Sequence, residues 1–431
     1  METAEALTRR LTRATGGVPG PVAVVDLDRF DANAADLLRR AGGTPVRLAA
    51  KSVRVRALVD RALAAGFTGI MTTSLAEALW HVGHGARDLL VGYPSVDREA
   101  LAALVRDPRA RAAITVMVDD EAQLALVEES LRDAAALGVA LPGAALPGAA
   151  LPGAALPGAA LPGADDAVPP VQVCLDVDAS WRLRFGVGRR ALTFHAGTRR
   201  SPLHDPADVA RLAARVARTP GVTLRGLMTY EAQIAGIPDA SPVVRAMKRA
   251  SARELVGRRA AVVAAVRDAV GHEPALVNAG GTGSLEVSAA APHVTEVTAG
   301  SGLYVPATFD GYRAFAPRPA AFFGLDVVRI PGDGWATAYA GGYPASGAAG
   351  RSRLPRPVTP GWALTGREGA GEVQTPLRRH GGEPLRVGDR VWFRHAKAGE
   401  LMERFTRVHL VRGDEVVDVV PTYRGEGRAF A

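Results

Sequence analysis

Cysteine, lysine and long apolar runs are all scarce in this chain of 431 residues. Its single cysteine, Cys174, excludes an internal disulfide framework and favours a reducing compartment. The longest apolar runs, such as 21–27 and 171–177, fall short of the roughly 18 residues that a membrane helix needs. The first ten residues carry two glutamates and no apolar core, unlike a secretory signal. We therefore expect a cytoplasmic protein that has no membrane partner.

Only three lysines, Lys51, Lys248 and Lys397, occur among the 52 basic residues, and the other 49 are arginines. A net charge of +8 would suit a nucleic-acid partner, but the basic residues are spread along the chain without interleaved aromatic residues. We therefore expect no nucleic-acid binding. A reaction that needs a primary amine has very few candidate residues.

Hydrophobic residues make up 48% of the chain, enough for one large domain and a smaller one. Between 21 and 305, short β-rich runs alternate with longer amphipathic stretches. The eight runs are 21–28, 46–51, 69–74, 88–93, 113–120, 171–178, 224–230 and 275–281. Eight βα units predict an α/β fold, a (β/α)₈ TIM barrel, whose chemistry collects at the carboxyl ends of the strands. Those ends include Lys51, Tyr93, Asp178 and Tyr230.

The rest of the chain differs from this pattern. Residues 141–164 contain LPGA five times, and this density of proline and glycine predicts a low-complexity insertion without helix or strand. Residues 306–431 have strand-like pieces between Gly/Pro-rich loops, which predicts a β-rich C-terminal domain. We expect residues 1–20 to pack near that domain or on the barrel.

Lys51 is the first candidate for chemistry, since it ends the strand RLAAK and its amine would point into the barrel mouth. A lysine amine in such a pocket can form a Schiff base with a carbonyl. The alternative is a surface lysine just past a strand. Lys248 lies in a basic helical segment and is expected to be solvated, while Lys397 stays ambiguous.

Two glycine-rich turns, NAGGTGS (278–284) and TAGSG (298–302), form the second candidate site. Glycines let backbone N–H groups close on a phosphate, and Thr282, Ser284 and Ser301 add hydroxyl donors. Phosphate sites in barrels lie in the loops after the last strands. The two turns together therefore predict a phosphate site.

Taken in order, the motifs resemble the fold-type III enzymes that use pyridoxal 5'-phosphate (PLP). The matching segments are VVDLD (24–28), AAKS (49–52), DVDASWRLRFGVG (176–188), GLMTYEAQ (226–233), NAGGTGS (278–284) and AGSGLYV (299–305). The chain is most similar to the D-threonine aldolase and D-serine dehydratase-like branch, and more distantly to alanine racemase. This resemblance implies a homodimer with PLP as cofactor, in which one chain's second domain closes the other's barrel.

By position, the resemblance implies that Lys51 holds PLP, that Arg184 lies near the ring substituents of the cofactor and that Tyr230 lines the site. The residues implied around the phosphate are Gly281, Thr282, Gly283, Ser284, Gly300, Ser301 and Tyr304. The alternative for Tyr230 and Tyr304 is that each is an aromatic residue at the barrel rim, whose hydroxyl forms a hydrogen bond but has no role at the site.

PLP withdraws electrons, so the protein decides which bond at the substrate Cα breaks. Racemases of this fold place an arginine at the pyridine nitrogen, and here that place falls at Thr298 or a neighbour, which favours a lyase. A contrary hint is ATAYAGGYPASG (336–347), which resembles the racemase segment that delivers a catalytic tyrosine across a dimer interface. Tyr339 falls at the place of that tyrosine, so Lys51 and the partner's Tyr339 would be the two bases of racemisation.

VGDRVWFRHAK (387–397) resembles the segment in which the aldolase and dehydratase branch binds a divalent metal. The branch uses a histidine and, two residues later, an aspartate or cysteine; here these are His395 and Lys397. A protonated amine does not ligate a metal, so the metal is in doubt. In one reading Lys397 replaces the metal at the β-hydroxyl of the substrate while His395 moves a proton. In another, Glu400 and Glu403 supply ligands with His395, and in a third the segment is a solvated strand end.

The sequence therefore predicts a PLP-dependent lyase for small β-hydroxy D-amino acids. It would either cleave Cα–Cβ as an aldolase or eliminate water and then ammonia as a dehydratase. The alternative enzyme is an amino-acid racemase or epimerase that uses Lys51 and Tyr339. A non-catalytic PLP-binding regulator is a third possibility, against which the retained C-terminal domain argues.

Overall fold

The computed structural model describes residues 2–139, 168–185, 192–316 and 318–430 of the chain. The LPGA insertion at 141–164 lies outside these described residues. The helices are α1 (Ala4–Ala14), α2 (Leu27–Arg40), α3 (Arg56–Ala64), α4 (Leu75–Gly83), α5 (Arg98–Arg106), α6 (Pro108–Ala113), α7 (Glu121–Ala136), α8 (Pro206–Ala217), α9 (Ala232–Ala235), α10 (Pro242–Val270), α11 (Leu285–Ala289) and α12 (Ser301–Tyr304). The strands are β1 (Val22–Asp26), β2 (Val46–Ala49), β3 (Ile70–Thr72), β4 (Leu89–Pro94), β5 (Ile114–Val118), β6 (Val171–Asp176), β7 (Trp181–Phe185), β8 (Leu192–Ala196), β9 (Val222–Thr229), β10 (Leu276–Ala279), β11 (Glu296–Ala299), β12 (Ala321–Arg329), β13 (Trp335–Tyr339), β14 (Arg356–Pro357), β15 (Trp362–Leu364), β16 (Gln374–Arg379), β17 (Arg390–Arg394), β18 (Arg407–Arg412) and β19 (Glu415–Pro421).

Eight parallel strands close into a barrel in the order β2-β3-β4-β5-β6-β9-β10-β11. The predicted TIM barrel is thus confirmed, but the set of eight predicted strands was wrong at one place. The first run, 21–28, forms β1, which leaves the barrel and pairs antiparallel with β12 and parallel with β18. The eighth barrel strand is β11, which closes the barrel between β10 and β2. Alternation and apolarity identify a strand but not its partners, so the pattern could not assign β1 to the second sheet.

The barrel strands alternate between two apolar environments, as the period of a strand requires. One face packs beneath the helices with residues such as Val46, Leu48 and Val116. The other face points into the barrel and carries a separate apolar cluster of Met71, Leu90, Met117, Cys174, Met228 and Leu276. This inner cluster separates the polar groups at the two ends of the barrel.

At the amino-terminal end of the barrel, charged side chains are paired with one another. Arg47 is fully buried and donates hydrogen bonds to Glu296 at 2.6 Å and to Asp88 at 2.8 Å. Arg225 donates a further bond to Asp88 at 2.9 Å. Burial of such a group is stable only when the opposite charge lies within hydrogen-bonding distance, and this arrangement provides it.

The second sheet has the order β15-β16-β13-β12-β1-β18-β19, and β17 pairs with β12 and β14. It therefore combines a strand from the start of the chain with strands from its end. The amphipathic helix α1 covers one face, where Leu7 and Leu11 pack with Phe322 and Trp392. The Trp392 indole N–H donates to the Thr12 hydroxyl at 2.9 Å. None of the helices in the described ranges is long and apolar enough to cross a membrane.

Candidate active site

A cavity of about 910 Å³ lies at the carboxyl-terminal mouth of the barrel, with residues of the C-terminal region on its rim. Strand β2 ends at Ala49, and a short 3₁₀ turn, Ala50–Ser52, carries Lys51 onto the cavity wall. The loop after β11 packs tightly against this turn, since a Cβ on Gly300 would lie 2.5 Å from the Ala49 carbonyl oxygen. Lys51 therefore lies on the wall of the cavity, at the carboxyl end of a barrel strand.

Tyr93, at the end of β4, is the direct neighbour of this amine. The Lys51 Nζ lies 2.5 Å from the Tyr93 Oη and 5.0 Å from the centroid of its ring. The Arg200 guanidinium lies 5.9 Å from the same ring centroid. Burial raises the pKa of the Tyr93 phenol, but the charge and hydrogen bond of Lys51 more than offset this effect, so the net shift is downward.

Asp176 brings a carboxyl group to the same cavity from the end of β6. Burial, followed by the nearby charge of Asp119, raises the pKa of Asp176 to about 7, against the opposing effect of Arg200. The sequence prediction missed both Asp176 and Arg200. Asp176 lies on the same inward-facing side of β6 as Cys174. The alternation of side chains along that strand could therefore have identified Asp176 as a residue of the barrel interior.

The first glycine turn lines the cavity with Gly281, Thr282 and Gly283. Among the described residues, no acceptor takes a hydrogen bond from the backbone N–H of Thr282 or Gly283. The Thr282 hydroxyl oxygen accepts from the Gly302 N–H at 3.0 Å and from the Ser301 hydroxyl at 3.2 Å. The two turns are thereby joined, and they present unused N–H donors that suit an anion.

Ser284 does not lie on this cavity wall, so its predicted place at a phosphate is corrected. Its hydroxyl donates to buried Glu231 at 2.6 Å and accepts from the Gly281 N–H at 3.1 Å. Glu231 also accepts from the Gly280 N–H at 3.2 Å. Ser284 therefore holds the turn from behind, while the Arg40 guanidinium donates to the Thr282 carbonyl oxygen at 2.8 Å.

The two predicted tyrosines have different positions. Tyr230 lines the cavity, and burial followed by the charge of Glu231 raises its pKa to about 12, which keeps the phenol neutral. Tyr304 is fully buried and donates to the Val53 carbonyl oxygen at 2.9 Å, away from the cavity. The expectation for Tyr304 is therefore corrected to that of a satisfied core tyrosine. Arg184 belongs to β7, and its side chain lies outside what the structure describes.

The segment after β17 reaches the rim of the cavity. Lys397 lines the cavity, is 40% exposed, and donates to the Ser346 hydroxyl at 2.8 Å, with Glu400 at 3.5 Å. His395 is only 3% exposed and lines a neighbouring smaller cavity of about 320 Å³, where its ring packs edge-on against Tyr304. Burial, followed by the charge of Arg394, lowers the pKa of His395 to about 3, which keeps the ring neutral. The structure therefore does not bring His395 into the cavity of Lys51.

These side chains do not fit a divalent metal. An ammonium group occupies the second ligand position, and the carboxylates offered as alternatives are engaged elsewhere. Glu400 accepts from the Ser346 N–H at 2.6 Å, and Glu403 pairs with Arg54 at 2.8 Å. Within the described parts of the chain, no three His, Cys, Asp or Glu side chains are grouped suitably for a metal ion.

Two residues bear on the racemase alternative. Thr298 lines the cavity and exchanges hydrogen bonds with the Asn278 side chain, at 2.8 and 3.0 Å, so this place holds a neutral pair. Tyr339 ends β13 beside Gln374 of β16 and is 47% exposed. Within one chain, Tyr339 lies away from the cavity.

The fold is similar to that of alanine racemase-like proteins, which confirms the predicted resemblance at the level of the fold. D-threonine aldolase from Filomicrobium marinum superposes with a TM-score of 0.72 at 22% identity, over 95% of this chain and 96% of the aldolase. D-threo-3-hydroxyaspartate dehydratase from Delftia sp. HT23 gives 0.67 at 20% identity, over 94% and 98%. Alanine racemase from Clostridium difficile 630 gives 0.58 at 15% identity, over 94% and 99%. No protein-family model and no curated protein sequence matches the chain.

Proposed function

We propose that this protein is a PLP-dependent lyase that acts on small β-hydroxy D-amino acids. One observation carries the proposal: a single cavity at the barrel mouth is lined by Lys51 and by Thr282 and Gly283, whose backbone N–H groups have no acceptor among the described residues. An amine can hold an aldehyde, and unused N–H groups can hold a phosphate, so the cavity suits the two ends of PLP. We propose the cytoplasm as its location from the sequence alone.

The residues present fit this cofactor. Lys51 would hold it through the amine, while Thr282, Gly283 and Ser301 would surround its phosphate and Tyr230 would line its ring. When bound, PLP supplies an electron sink for the bonds at the substrate Cα. Substrate binding and proton transfer would be carried out by side chains of the protein.

Two side chains on the cavity wall suit proton handling at the oxygen of a β-hydroxy substrate. Asp176, with its pKa raised to about 7, can hold or release a proton near neutral pH. Lys397 can donate a charge-assisted hydrogen bond to that oxygen from the rim, in place of a metal. His395 is less suitable because its ring lies in the neighbouring cavity.

A lyase is favoured over a racemase by one observation: the neutral Thr298–Asn278 pair stands where the racemase resemblance expects an arginine. Tyr339 lies outside the cavity of its own chain, as both readings expect. A dimer, which we also propose, would have to supply Tyr339 from its partner. Exposed Trp335 and Val373 lie on the same sheet region as Tyr339 and would suit such contacts.

The test is a near-visible absorption spectrum of the purified protein with PLP, before and after D-threonine or D-serine. We expect a cofactor band that either amino acid shifts, that Lys51→Ala removes and that the matched Lys248→Ala retains. Glycine plus an aldehyde would identify an aldolase, and a 2-keto acid plus ammonia a dehydratase. Formation of the mirror-image amino acid alone would contradict the lyase, and the absence of any band with PLP would contradict the cofactor.

A further inference from the structure

We propose that Tyr93 is a catalytic residue of this site, whose phenol exchanges a proton with the Lys51 amine. The inference rests on the proposed function, since Lys51 matters only if its amine reacts. The resemblance to known enzymes assigned no role to Tyr93. The assignment comes from the contact between the two side chains, where the Lys51 Nζ lies 2.5 Å from the Tyr93 Oη.

The geometry suits proton exchange because both atoms are fixed by the barrel. Tyr93 lies in β4 and Lys51 in the turn that follows β2, on one wall of the cavity. Gly92, next to Tyr93, lies against Met71, where a Cβ would come within 3.0 Å of the Met71 side chain. Absence of a side chain at Gly92 leaves room for the Met71 side chain beside Tyr93.

Four charged or titratable groups interact with Tyr93 at the cavity. Lys51 approaches from the turn after β2 and Arg200 from the segment after β8, and both favour the phenolate. Asp176 faces it from β6 and disfavours the phenolate. Tyr230, directly after β9, is close enough for the charge of one phenol to affect the other. Lys51 and Arg200 together outweigh burial and Asp176, so the net shift of the Tyr93 pKa is downward.

The step is a single proton transfer. The Lys51 ammonium gives one proton to the Tyr93 phenolate, which leaves a neutral amine and a neutral phenol. The amine lone pair is then free to attack a carbonyl carbon, and the reverse transfer protonates the amine when it leaves. No redox partner is needed, and both charges are neutralised inside the cavity.

The other tyrosines provide an internal contrast, because the pKa of Tyr93 is shifted downward. Burial raises the pKa of the remaining shifted phenols, which are Tyr230, Tyr304, Tyr312, Tyr343 and Tyr423. Tyr93 should therefore ionise at a lower pH than these five, as long as Lys51 is present.

The first experiment is an ultraviolet difference titration of the full chain purified without added cofactor. We expect Tyr93→Phe to remove the phenol that ionises at the lowest pH. Tyr343→Phe is the matched control, because that half-buried ring packs 5.2 Å from Phe323 and does not line the cavity of Lys51, and it should remove a high-pH ionisation instead. Lys51→Ala should move the Tyr93 ionisation upward. An unchanged titration in Lys51→Ala would overturn the proposal.

The second experiment measures the rate at which the same proteins take up PLP as a function of pH. Removal of a general base at a reacting amine slows such steps by about 10²-fold or more, so we expect this loss in Tyr93→Phe and none in Tyr343→Phe. The pH midpoint of uptake in the wild type should follow the Tyr93 ionisation measured independently. Normal uptake by Tyr93→Phe would overturn the proposal. If the wild type takes up no PLP, the proposed function fails, while the titration still decides whether Lys51 and Tyr93 share a proton.

Discussion

Both ends of the barrel interior contain ionisable side chains, but the two ends differ in how these side chains are paired. At the amino-terminal end, Arg47 pairs with Glu296 and Asp88 within 2.8 Å. At the carboxyl-terminal end, Lys51 and Asp176 have no salt-bridge partner within 4.0 Å among the described residues. An apolar layer that includes Met117 lies between the two ends.

This difference indicates which charges stabilise the fold and which remain available for a ligand. Paired and buried ions satisfy one another, so their removal is expected to affect stability. An ionisable group that faces a cavity without such pairing has a shifted pKa and unused hydrogen-bonding capacity, as Asp176 shows. We therefore expect substitutions at the two ends to separate activity from stability.

Lys51→Met should have the largest effect, and this effect should be confined to the site at the barrel mouth. We expect lyase activity to fall by at least about 10³-fold, because no other amine reaches the same position. The free energy of unfolding should change by less than about 1 kcal/mol, as for a partly exposed side chain without an ion pair. Activity assays and urea denaturation measure the two quantities, and retained activity would show that another residue holds the cofactor.

Arg47→Met is the matched substitution at the opposite end. It removes the buried cation that pairs with Glu296 and leaves Asp88 with Arg225 alone, so the free energy of unfolding should fall by about 3–5 kcal/mol. The activity per folded molecule should be unchanged at a temperature where the variant stays folded. A variant that stays stable but loses activity would reverse the roles of the two ends.

Lys397→Ala should have an intermediate effect if an ammonium group replaces a metal at the rim. We expect kcat/KM to fall by about 10²-fold, in line with the loss of one charge-assisted donor at a reacting oxygen. Lys397→Arg, which keeps a cation, should retain more activity, and a chelator should leave the wild type unaffected. Strict dependence of the wild type on a divalent metal would contradict this role.

Asp176→Asn and Asp88→Asn should have opposite and smaller effects that depend on pH. Asp176 has a pKa raised to about 7, so the wild type loses stability as the pH rises from about 4 through 7 and this carboxyl must ionise. Asp176→Asn should therefore be more stable than the wild type at pH 8, by about 1–2 kcal/mol, and should lose this advantage near pH 4.

For Asp88 the sign is reversed. Burial raises its pKa, but the charges of Arg47 and Arg225 outweigh burial, so the net shift is downward and ionised Asp88 adds stability above about pH 4. Asp88→Asn should be less stable than the wild type at pH 8, and the difference should shrink as the pH falls below 4. Thermal denaturation across this pH range measures the stability of both variants relative to the wild type. The two stability differences should change with pH in opposite directions, and a change in the same direction would contradict the comparison.

The sequence allowed prediction of the barrel, of Lys51 at its mouth and of both glycine turns, because strand period and strand-end position are local properties. It did not allow correct placement of β1, which is distinguished from a barrel strand only by pairing with β12, about 300 residues later. The same limit applies inside the site. Whether the Ser284 hydroxyl faces the cavity or Glu231 depends on a contact across 53 residues, which no local pattern encodes.

The proposed function depends most on Lys51 being the amine that holds the cofactor, and the scarcity of lysine makes this directly measurable. The protein would be incubated with PLP, reduced with borohydride to fix any imine as a stable amine, and digested for mass spectrometry. With only three lysines in the chain, each can be scored separately. We predict that Lys51 alone gains the mass of the reduced cofactor, whereas labelling at Lys248 or Lys397, or at none of the three, would contradict the account.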